Sequence, residues 1–321
     1  MSDAPRQIEE RRPRPKIGLV LGSGVARGWA HLGVLRGLGR LGIKPDFVCG
    51  TSMGAVVGGA YLCGRARALE DWALSLSKLK VISYLDLKLI GGGVIGGSKL
   101  IQRMEEEFGT VEIASLPVPF CAVATDLVTG HEVWLNSGKL VDALRASFGL
   151  PGVFPPFRHN DRWLVDGALT NPVPVSVCRA MGAQLVIAVN MHADFIGKAR
   201  RPGQSYPTVA GFDLLSELEQ MKNVDRGWRL DSFLGKVFGR QADAPSLFGT
   251  MVSALNILQD RVTRSRLAGD PPDVQITPRL GHMGLLEFHR AAEAIAEGEA
   301  AVERAMPDIR DSLVVFDLAS R

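Results

Sequence analysis

Ser52 stands at the centre of the pentapeptide GTSMG, a G-x-S-x-G pattern typical of serine nucleophiles. The apolar run FVC precedes the pentapeptide, and a small-residue helix pattern follows it. A serine at a sharp strand-to-helix turn needs a strained backbone, so its neighbours must lack bulk, and Gly50 and Gly54 meet that need. Its hydroxyl would project at a helix N-terminus, where the dipole favours developing negative charge. A tight glycine turn without chemistry is the alternative interpretation.

A second glycine-rich turn, GSGVARG at residues 22–28, also closes a strand-like run and opens a helix. The backbone N–H groups of such a turn can hold an anion. As a dinucleotide fingerprint it fails, because Arg27 stands where G-x-G-x-x-G requires glycine, and as a P-loop it lacks the Gly-Lys-Ser/Thr ending. An oxyanion hole for acyl transfer requires only backbone donors near Ser52. A turn that binds no anion is the remaining alternative.

Asp166 ends the strand-like part of the run RWLVDGAL. A carboxylate there can face the same sheet edge as Ser52, and it could accept the serine proton directly if burial raises its pKa. Alone, the Asp166-Gly167 pair is more typical of a turn. A conventional triad would need a histidine after the acid. Among the later histidines only His192 follows a strand of the regular core, and ordinary core or surface duty is favoured for it.

In this order, the three elements resemble the patatin-like phospholipase family, especially its bacterial subgroup related to neuropathy target esterase. The segments LGSGVARGWAHLGVL, GTSMG and LVDGALTNPVPV carry the likeness, with ATDLVTGHEVWL and LPGVFPPF between them, so it covers residues 16–190. The resemblance implies a three-layer α/β/α sandwich with a mostly parallel central sheet. It implies a lipid ester hydrolase that forms an acyl-enzyme on Ser52, with Asp166 as direct base and no histidine. Neither a metal nor an organic cofactor is implied.

The same resemblance assigns the glycine-rich turn to an oxyanion hole. In it, Gly22, Gly24 and Val25 would present N–H groups and Arg27 would support the loop. The implied loop comprises Gly22, Ser23, Gly24, Val25, Arg27 and Gly28. The family often has glycine in place of Ser23 and a second glycine in place of Ala168. Because backbone groups act in the loop, Ser23 should be tolerated, whereas Ala168 affects only the turn after the aspartate.

Two other functions fit the same motifs. A non-catalytic lipid-binding regulatory or scaffolding protein would keep the fold and regulate a partner without turnover, although it would have no chemical need for both Ser52 and Asp166. An acyltransferase would form the same acyl-enzyme and pass the acyl group to another alcohol instead of water.

Apolar runs, glycine-rich turns and amphipathic helices alternate along the chain, which predicts βαβ units and a mixed sheet of about six strands. We expect a disordered basic tail at 1–15 and a single catalytic domain at 16–321. Within that domain, a glycine-rich loop or lid is expected at 78–97, a helical insertion at 194–249 and a charged connection at 261–272. A closing helix is expected at 285–306, and His159 on a loop.

The remaining sequence features bear on partners and location. A net charge of +3, from 37 basic and 34 acidic residues, gives no indication of a nucleic acid partner. No secretory signal or transmembrane run is evident, so we expect a cytoplasmic protein. The four cysteines lack metal or disulfide spacing, which favours buried thiols. A basic amphipathic helix at 228–240 either lies peripherally on a membrane or packs on the core or on another subunit of an oligomer.

Overall fold

The structure is a computed structural model that describes residues 14–85, 97–194 and 247–319. The predicted tail lies outside these ranges except for its last two residues, as do the predicted helix 228–240 and nearly all of the predicted insertion. What was expected of those segments stays a prediction.

The described residues contain an eight-stranded, mostly parallel sheet. Its hydrogen-bonded path is β5-β6-β3-β2-β1-β7-β8, with β4 paired to β3, and β4 and β6 run antiparallel to β3. The strands are β1 Ile17–Leu21, β2 Phe47–Thr51, β3 Phe120–Asp126, β4 Glu132–Leu135, β5 Phe157–His159, β6 Arg162–Asp166, β7 Leu185–Val189 and β8 Val274–Ile276.

Helices cover both faces of this sheet. The α-helices of the described ranges are α1 Ala30–Arg40, α2 Met53–Leu62, α3 Ala66–Leu74, α4 Lys78–Leu85, α5 Ser98–Phe108, α6 Leu140–Ser147, α7 Val175–Ala180, α8 Leu247–Gly269 and α9 Ala291–Ala319. Short 3₁₀ helices include Val25–Trp29, Gly167–Leu169 and Phe288–Arg290. The predicted three-layer arrangement is confirmed.

Alternation along the strands divides the core into two clusters, one on each face of the sheet. The first cluster contains Leu19 and Leu21 of β1 and is covered by α1, α2, α6 and α9. The second contains the intervening Val20 and is covered by α7. Three cysteines lie in the second cluster or beside it as buried free thiols, whereas Cys63 is half-buried.

Strands β2 and β6 meet end to end along one edge of β3. On its other edge, β4 pairs with both Val123 and Ala124 of β3. Val123 also pairs with Thr51 of β2, and Ala124 with Asp166 of β6. Since β4 occupies one edge at both positions, β2 and β6 must share the opposite edge. The ends of these two strands therefore face each other.

Three local expectations were wrong. The segment 78–97 does not begin as a loop: α4 runs to Leu85, because the glycines are confined to residues beyond it and Val81 is buried in the core. His159 ends the short strand β5 and does not lie in a loop. The supposed charged connection at 261–272 is helical as far as Gly269, as the last part of α8.

The closing helix also differs from expectation in its bounds. It begins later, at Ala291, and continues through Pro307 to Ala319. None of the described helices is long and apolar enough to cross a bilayer.

Candidate active site

Ser52 occupies the strained turn between β2 and α2. Thr51 and Asp166 lie opposite consecutive residues of β3, so they are about 3.3 Å apart along the strand direction, and a straight continuation of β2 would run into β6. The chain turns away at Ser52, with φ 56° and ψ −125°, and α2 begins at the next residue. A non-glycine residue at positive φ is uncommon and costs energy. The positive φ of Ser52 therefore has a physical reason, which is that β2 ends where β6 begins to occupy the same edge of β3.

The same meeting brings the predicted nucleophile and the predicted base into contact. Ser52 Oγ donates a hydrogen bond of 2.6 Å to Oδ2 of Asp166. The other carboxylate oxygen, Oδ1, accepts from the backbone N–H of Ala168 at 2.8 Å. Both side chains are buried. Burial raises the pKa of Asp166 to about 7, although the hydrogen bonds from Ser52 and Ala168 act in the opposite direction.

Close packing around the turn requires its glycines. A Cβ on Gly54 would lie 2.0 Å from the carbonyl oxygen of Leu21, and one on Gly50 would lie 2.5 Å from Cα of Ala55. Both contacts are with backbone, which cannot easily move. The sequence requirement for two small neighbours of Ser52 therefore has a direct steric cause.

Ser147 supports the turn from α6, and no sequence signal pointed to it. Its hydroxyl accepts the backbone N–H of Ser52 at 2.9 Å and donates to the carbonyl oxygen of Val123 at 2.6 Å. Ser147 thus links the turn at Ser52 to β3, the strand with which Asp166 also pairs. The hydroxyl fixes the height of the turn relative to β3.

The glycine-rich turn lies beside this pair, but one of its three predicted donors, the N–H of Gly22, is already engaged. The N–H of Gly22 donates to the carbonyl of Val189, and that of Ser23 donates to the carbonyl of Pro172. The expectation that Gly22 presents its N–H to an oxyanion is therefore wrong, because that group completes the pairing of β1 with β7. The N–H groups of Gly24 and Val25 are not used in these bonds and stand at the start of a 3₁₀ helix, where such groups have no intrahelical acceptor.

The backbone conformation at Gly24 and Val25 is consistent with a role for their main-chain N–H groups. Val25 has φ 50°, which is a rare conformation for a β-branched residue, and it follows Gly24. A Cβ on Gly24 would lie 2.8 Å from Cγ of Met191, so no larger residue fits there without displacement. A non-glycine residue at positive φ is typical of sites where main-chain groups have a function.

Arg27 and Gly28 anchor the far side of the loop. The Arg27 guanidinium is buried and donates from Nε to the carbonyl of Met283 at 2.9 Å. Burial lowers its pKa to about 10, and the charges of Asp194 and Glu287 partly compensate. A Cβ on Gly28 would lie 2.3 Å from Cγ of Met53, so the loop packs directly on the residue after Ser52.

Two buried histidines contact the loop, and neither contacts Ser52 or Asp166. His31 donates from Nε2 to the carbonyl of Gly22 at 2.7 Å, and Nε2 of His192 lies 2.9 Å from Oγ of Ser23. Burial lowers the pKa of His31 to about 4; burial and the charge of Arg27 lower that of His192 to about 3. Both imidazoles are therefore neutral at neutral pH and position the loop.

An apolar cavity of about 80 Å³ adjoins Met53. Since a cavity needs about 10–15 Å³ to hold one water molecule, this one is several times larger than the site of a single water molecule. Aromatic and aliphatic side chains form its wall. They include Trp29, Met53, Val56, Trp72, Phe148 and Phe154. At the end of α2 away from Ser52, Arg65 and Glu107 form an ion pair at the cavity rim.

No cluster of three or more His, Cys, Asp and Glu side chains within the described ranges has an arrangement that could hold a metal ion. Ser52 and Asp166 lie in hydrogen-bond contact, with main-chain amides on one side and the apolar cavity on another. Such an arrangement can transfer an acyl group through an ester on Ser52.

Comparison with known proteins agrees with the resemblance noted in the sequence. A sequence model described as patatin-like phospholipase matches residues 19–179, which include Ser52, Asp166 and the glycine-rich turn. The chain belongs to the patatin-like phospholipase family. An uncharacterised NTE family protein of Mycobacterium tuberculosis is 33% identical over 91% of each chain.

Two further matches have narrower scope. The mouse patatin-like phospholipase domain-containing protein 6 is 33% identical over 54% of this patatin-like chain and 13% of its own length. A solved structure, VipD from Legionella pneumophila, aligns with a TM-score of 0.45 and 11% identity over 92% of this chain and 67% of that chain. A structural likeness at that level has no weight in the assignment.

Proposed function

We propose that this protein is a serine acyl hydrolase that cleaves carboxylic ester bonds of phospholipids or lysophospholipids. The observation that carries the proposal is the hydrogen bond of 2.6 Å between Ser52 Oγ and Asp166 Oδ2. Family membership supports lipid hydrolysis in general, and the pair supplies a chemical means for it.

In the first step Asp166 accepts the proton of Ser52 as its oxygen attacks the ester carbonyl. A carboxylate is a weak base at its ordinary pKa, so a value near 7 brings it close to the optimum for proton transfer at neutral pH. The N–H of Ala168 holds the other carboxylate oxygen and thereby fixes the direction of Oδ2. The N–H groups of Gly24 and Val25 are the proposed donors to the tetrahedral oxyanion.

In the second step Asp166 returns its proton to the leaving alcohol, and the acyl group remains on Ser52. Water then enters, Asp166 removes its proton, and the acyl-enzyme is hydrolysed with the proton finally restored to Ser52. The apolar cavity beside Met53 is the proposed site of the acyl chain. Burying each methylene there would contribute about 0.8 kcal/mol to binding.

The test is ester hydrolysis across acyl lengths and phospholipid classes by the purified protein, together with labelling by a fluorophosphonate. Wild type should hydrolyse and become labelled. Ser52→Ala should lose both properties, with a rate decrease of at least about a thousandfold, and Asp166→Asn should lose turnover. Hydrolysis that survives in Ser52→Ala would refute the proposal. Absence of both hydrolysis and labelling in wild type would favour a non-catalytic lipid-binding protein.

A further inference from the structure

Helix α8 buries polar side chains among apolar ones on its inner face, where Val252 belongs to the first core cluster. On its outer face Ile257 and Leu258 are 48% and 55% exposed. Polar side chains at buried positions of a helix need hydrogen-bond partners, either from the protein or from a ligand. The buried positions of the helix are Val252, Asn256, Gln259, Asp260 and Thr263.

The path of α8 shows where that inner face points. Leu255 packs against the first core cluster and Leu267 against the second, which lie on opposite faces of the sheet. These positions are twelve residues apart, which is about 18 Å along the helix, so the helix crosses over the end of the sheet. It contacts the 3₁₀ turn Gly167–Leu169, which directly follows Asp166. The helix therefore passes over the turn that follows Asp166.

Asn256 is the member of this face that lacks partners. Its side chain is 1% exposed, and neither Nδ2 nor Oδ1 has a hydrogen-bond partner. A buried amide without hydrogen bonds destabilises a fold, so such a group calls for an explanation. Binding of a polar ligand would provide one, because the amide offers two donors and one acceptor.

The neighbouring polar groups indicate which ligand suits Asn256. The Thr263 hydroxyl is occupied, since it donates to the backbone carbonyl of Gln259. The buried Asp260 carboxylate accepts from Arg264. An acidic group balanced by one basic group gives no excess positive charge for a phosphate. A neutral hydroxyl, which both donates and accepts, matches the amide of Asn256.

We propose that Asn256 binds a free hydroxyl on the alcohol part of the ester substrate. This inference rests on the proposed function. The acyl chain enters the apolar cavity beside Met53, and the alcohol part faces α8, so the two halves of the substrate meet surfaces of matching polarity. Esters of glycerol-type alcohols with an unesterified hydroxyl are then favoured over esters of alcohols that lack one.

The test compares two decanoate esters, of glycerol and of 1-propanol, which share the acyl chain and differ in the hydroxyls of the alcohol. The measured quantity is the ratio of kcat/KM for the glycerol ester to that for the propyl ester. Asn256→Leu should lower this ratio about tenfold by removing a hydrogen bond made only to the glycerol ester. Asn256→Ser, which keeps a hydroxyl-binding group, should restore part of it. Leu258→Ala, on the exposed face of the same helix, should leave both rates within about twofold.

Thermal unfolding distinguishes binding from a structural role. Because Asn256→Leu removes a buried amide without partners, its Tm should equal or exceed that of wild type. An unchanged ratio in Asn256→Leu would overturn the inference, as would a lower Tm with equal loss for both esters. In either case continued hydrolysis by wild type would leave the proposed function standing. Wild type that hydrolyses neither ester would overturn both.

Discussion

Replacement of Asp166 by asparagine should make the protein more stable at alkaline pH while abolishing turnover. The folded-state pKa of this carboxyl is about 7, against 3.8 for the unperturbed group. Between these values the folded chain keeps a proton that the unfolded chain has lost. The free energy of unfolding of wild type therefore falls as pH rises from about 4 to about 7, and the loss is complete above the folded pKa.

The size of the effect follows from that difference in pKa. About three units at about 1.4 kcal/mol each give roughly 4 kcal/mol by pH 8. Asparagine cannot ionise, so the variant lacks this loss. It can also keep both contacts of the protonated acid, since Oδ1 can accept from Ala168 and Nδ2 can donate to the Ser52 oxygen.

Urea unfolding, followed by tryptophan fluorescence at half-unit steps from pH 4.5 to pH 8.5, measures this difference. The wild-type and Asp166→Asn curves should converge at the acid end and separate in favour of the variant up to about pH 7. The buried His31 and His192 also contribute to pH dependence, but equally in both proteins, so the difference between the curves isolates residue 166. Curves that stay parallel through this range would refute the reasoning about burial.

Asp126→Asn is the matched control with the opposite sign. The backbone N–H groups of Thr129 and Val128 lower the pKa of Asp126. Its contribution to stability is therefore present at neutral pH and is lost as pH falls through the folded pKa. This variant should be less stable than wild type at pH 7, and the deficit should shrink towards acid pH.

Three further predictions concern catalysis and the glycine turn. The kcat/KM of wild type for a p-nitrophenyl ester should rise about tenfold per pH unit below pH 7 and level off above it, because Asp166 is the proposed base; a pH-independent rate would contradict this. Gly54→Ala should lower the Tm, because its added Cβ would collide with a strand carbonyl. Gly39→Ala, whose Cβ would lie in open space on α1, should instead stabilise the protein by about 0.5–1 kcal/mol. Equal effects of the two substitutions would argue against the steric explanation. Ser147→Ala leaves the Ser52 N–H without its acceptor and should cost about 1–3 kcal/mol in urea unfolding, while an unchanged midpoint would mean that the turn has another support.

The main elements of the site were predictable because each has a local signal. Apolar runs and glycine-rich turns predicted a sheet of about six strands, fewer than the eight observed, and the motifs around Ser52 and Asp166 identified the two side chains that form the hydrogen-bonded pair. Strand β5 lacked such a signal because its sequence, Phe-Arg-His, contains a single apolar residue. Its clue was the Asn160-Asp161 pair that follows, since both residues have positive φ, as in the tight turn of a β-hairpin.

Helix α8 escaped prediction for a physical reason connected with its position. Sequence periodicity identifies a helix by an apolar stripe, but here the buried stripe contains Asn256, Asp260 and Thr263. The charged residues from Arg261 onward then suggested a connection. The buried polar residues that hide this helix from sequence analysis include Asn256, on which the proposed binding of a hydroxyl rests.

Glycine patterns also have a limit in the glycine-rich turn at 22–28. They show where side chains are excluded, but not where the main-chain N–H groups point. Gly22 needs to be small because a Cβ would lie 2.6 Å from the carbonyl of Val189, and its N–H donates to that same carbonyl. Only the register of β1 with β7 separates this structural glycine from Gly24, whose N–H does not pair with the strand.

The strain at Ser52 and the raised pKa of Asp166 have a common origin in the meeting of β2 and β6. Because the two strands occupy one edge of β3, the chain must leave the sheet at Ser52, which forces the positive φ. The same edge lies between two core clusters, so the carboxylate of Asp166 is removed from water. Both the strained backbone and the buried carboxyl destabilise the fold, and the strained backbone costs about 1–3 kcal/mol.

A shift of β6 by one residue along β3 would relieve the crowding, but it would also carry the Asp166 side chain to the opposite face of the sheet. The register of a single antiparallel strand therefore determines both the geometry and the basicity of the reactive pair.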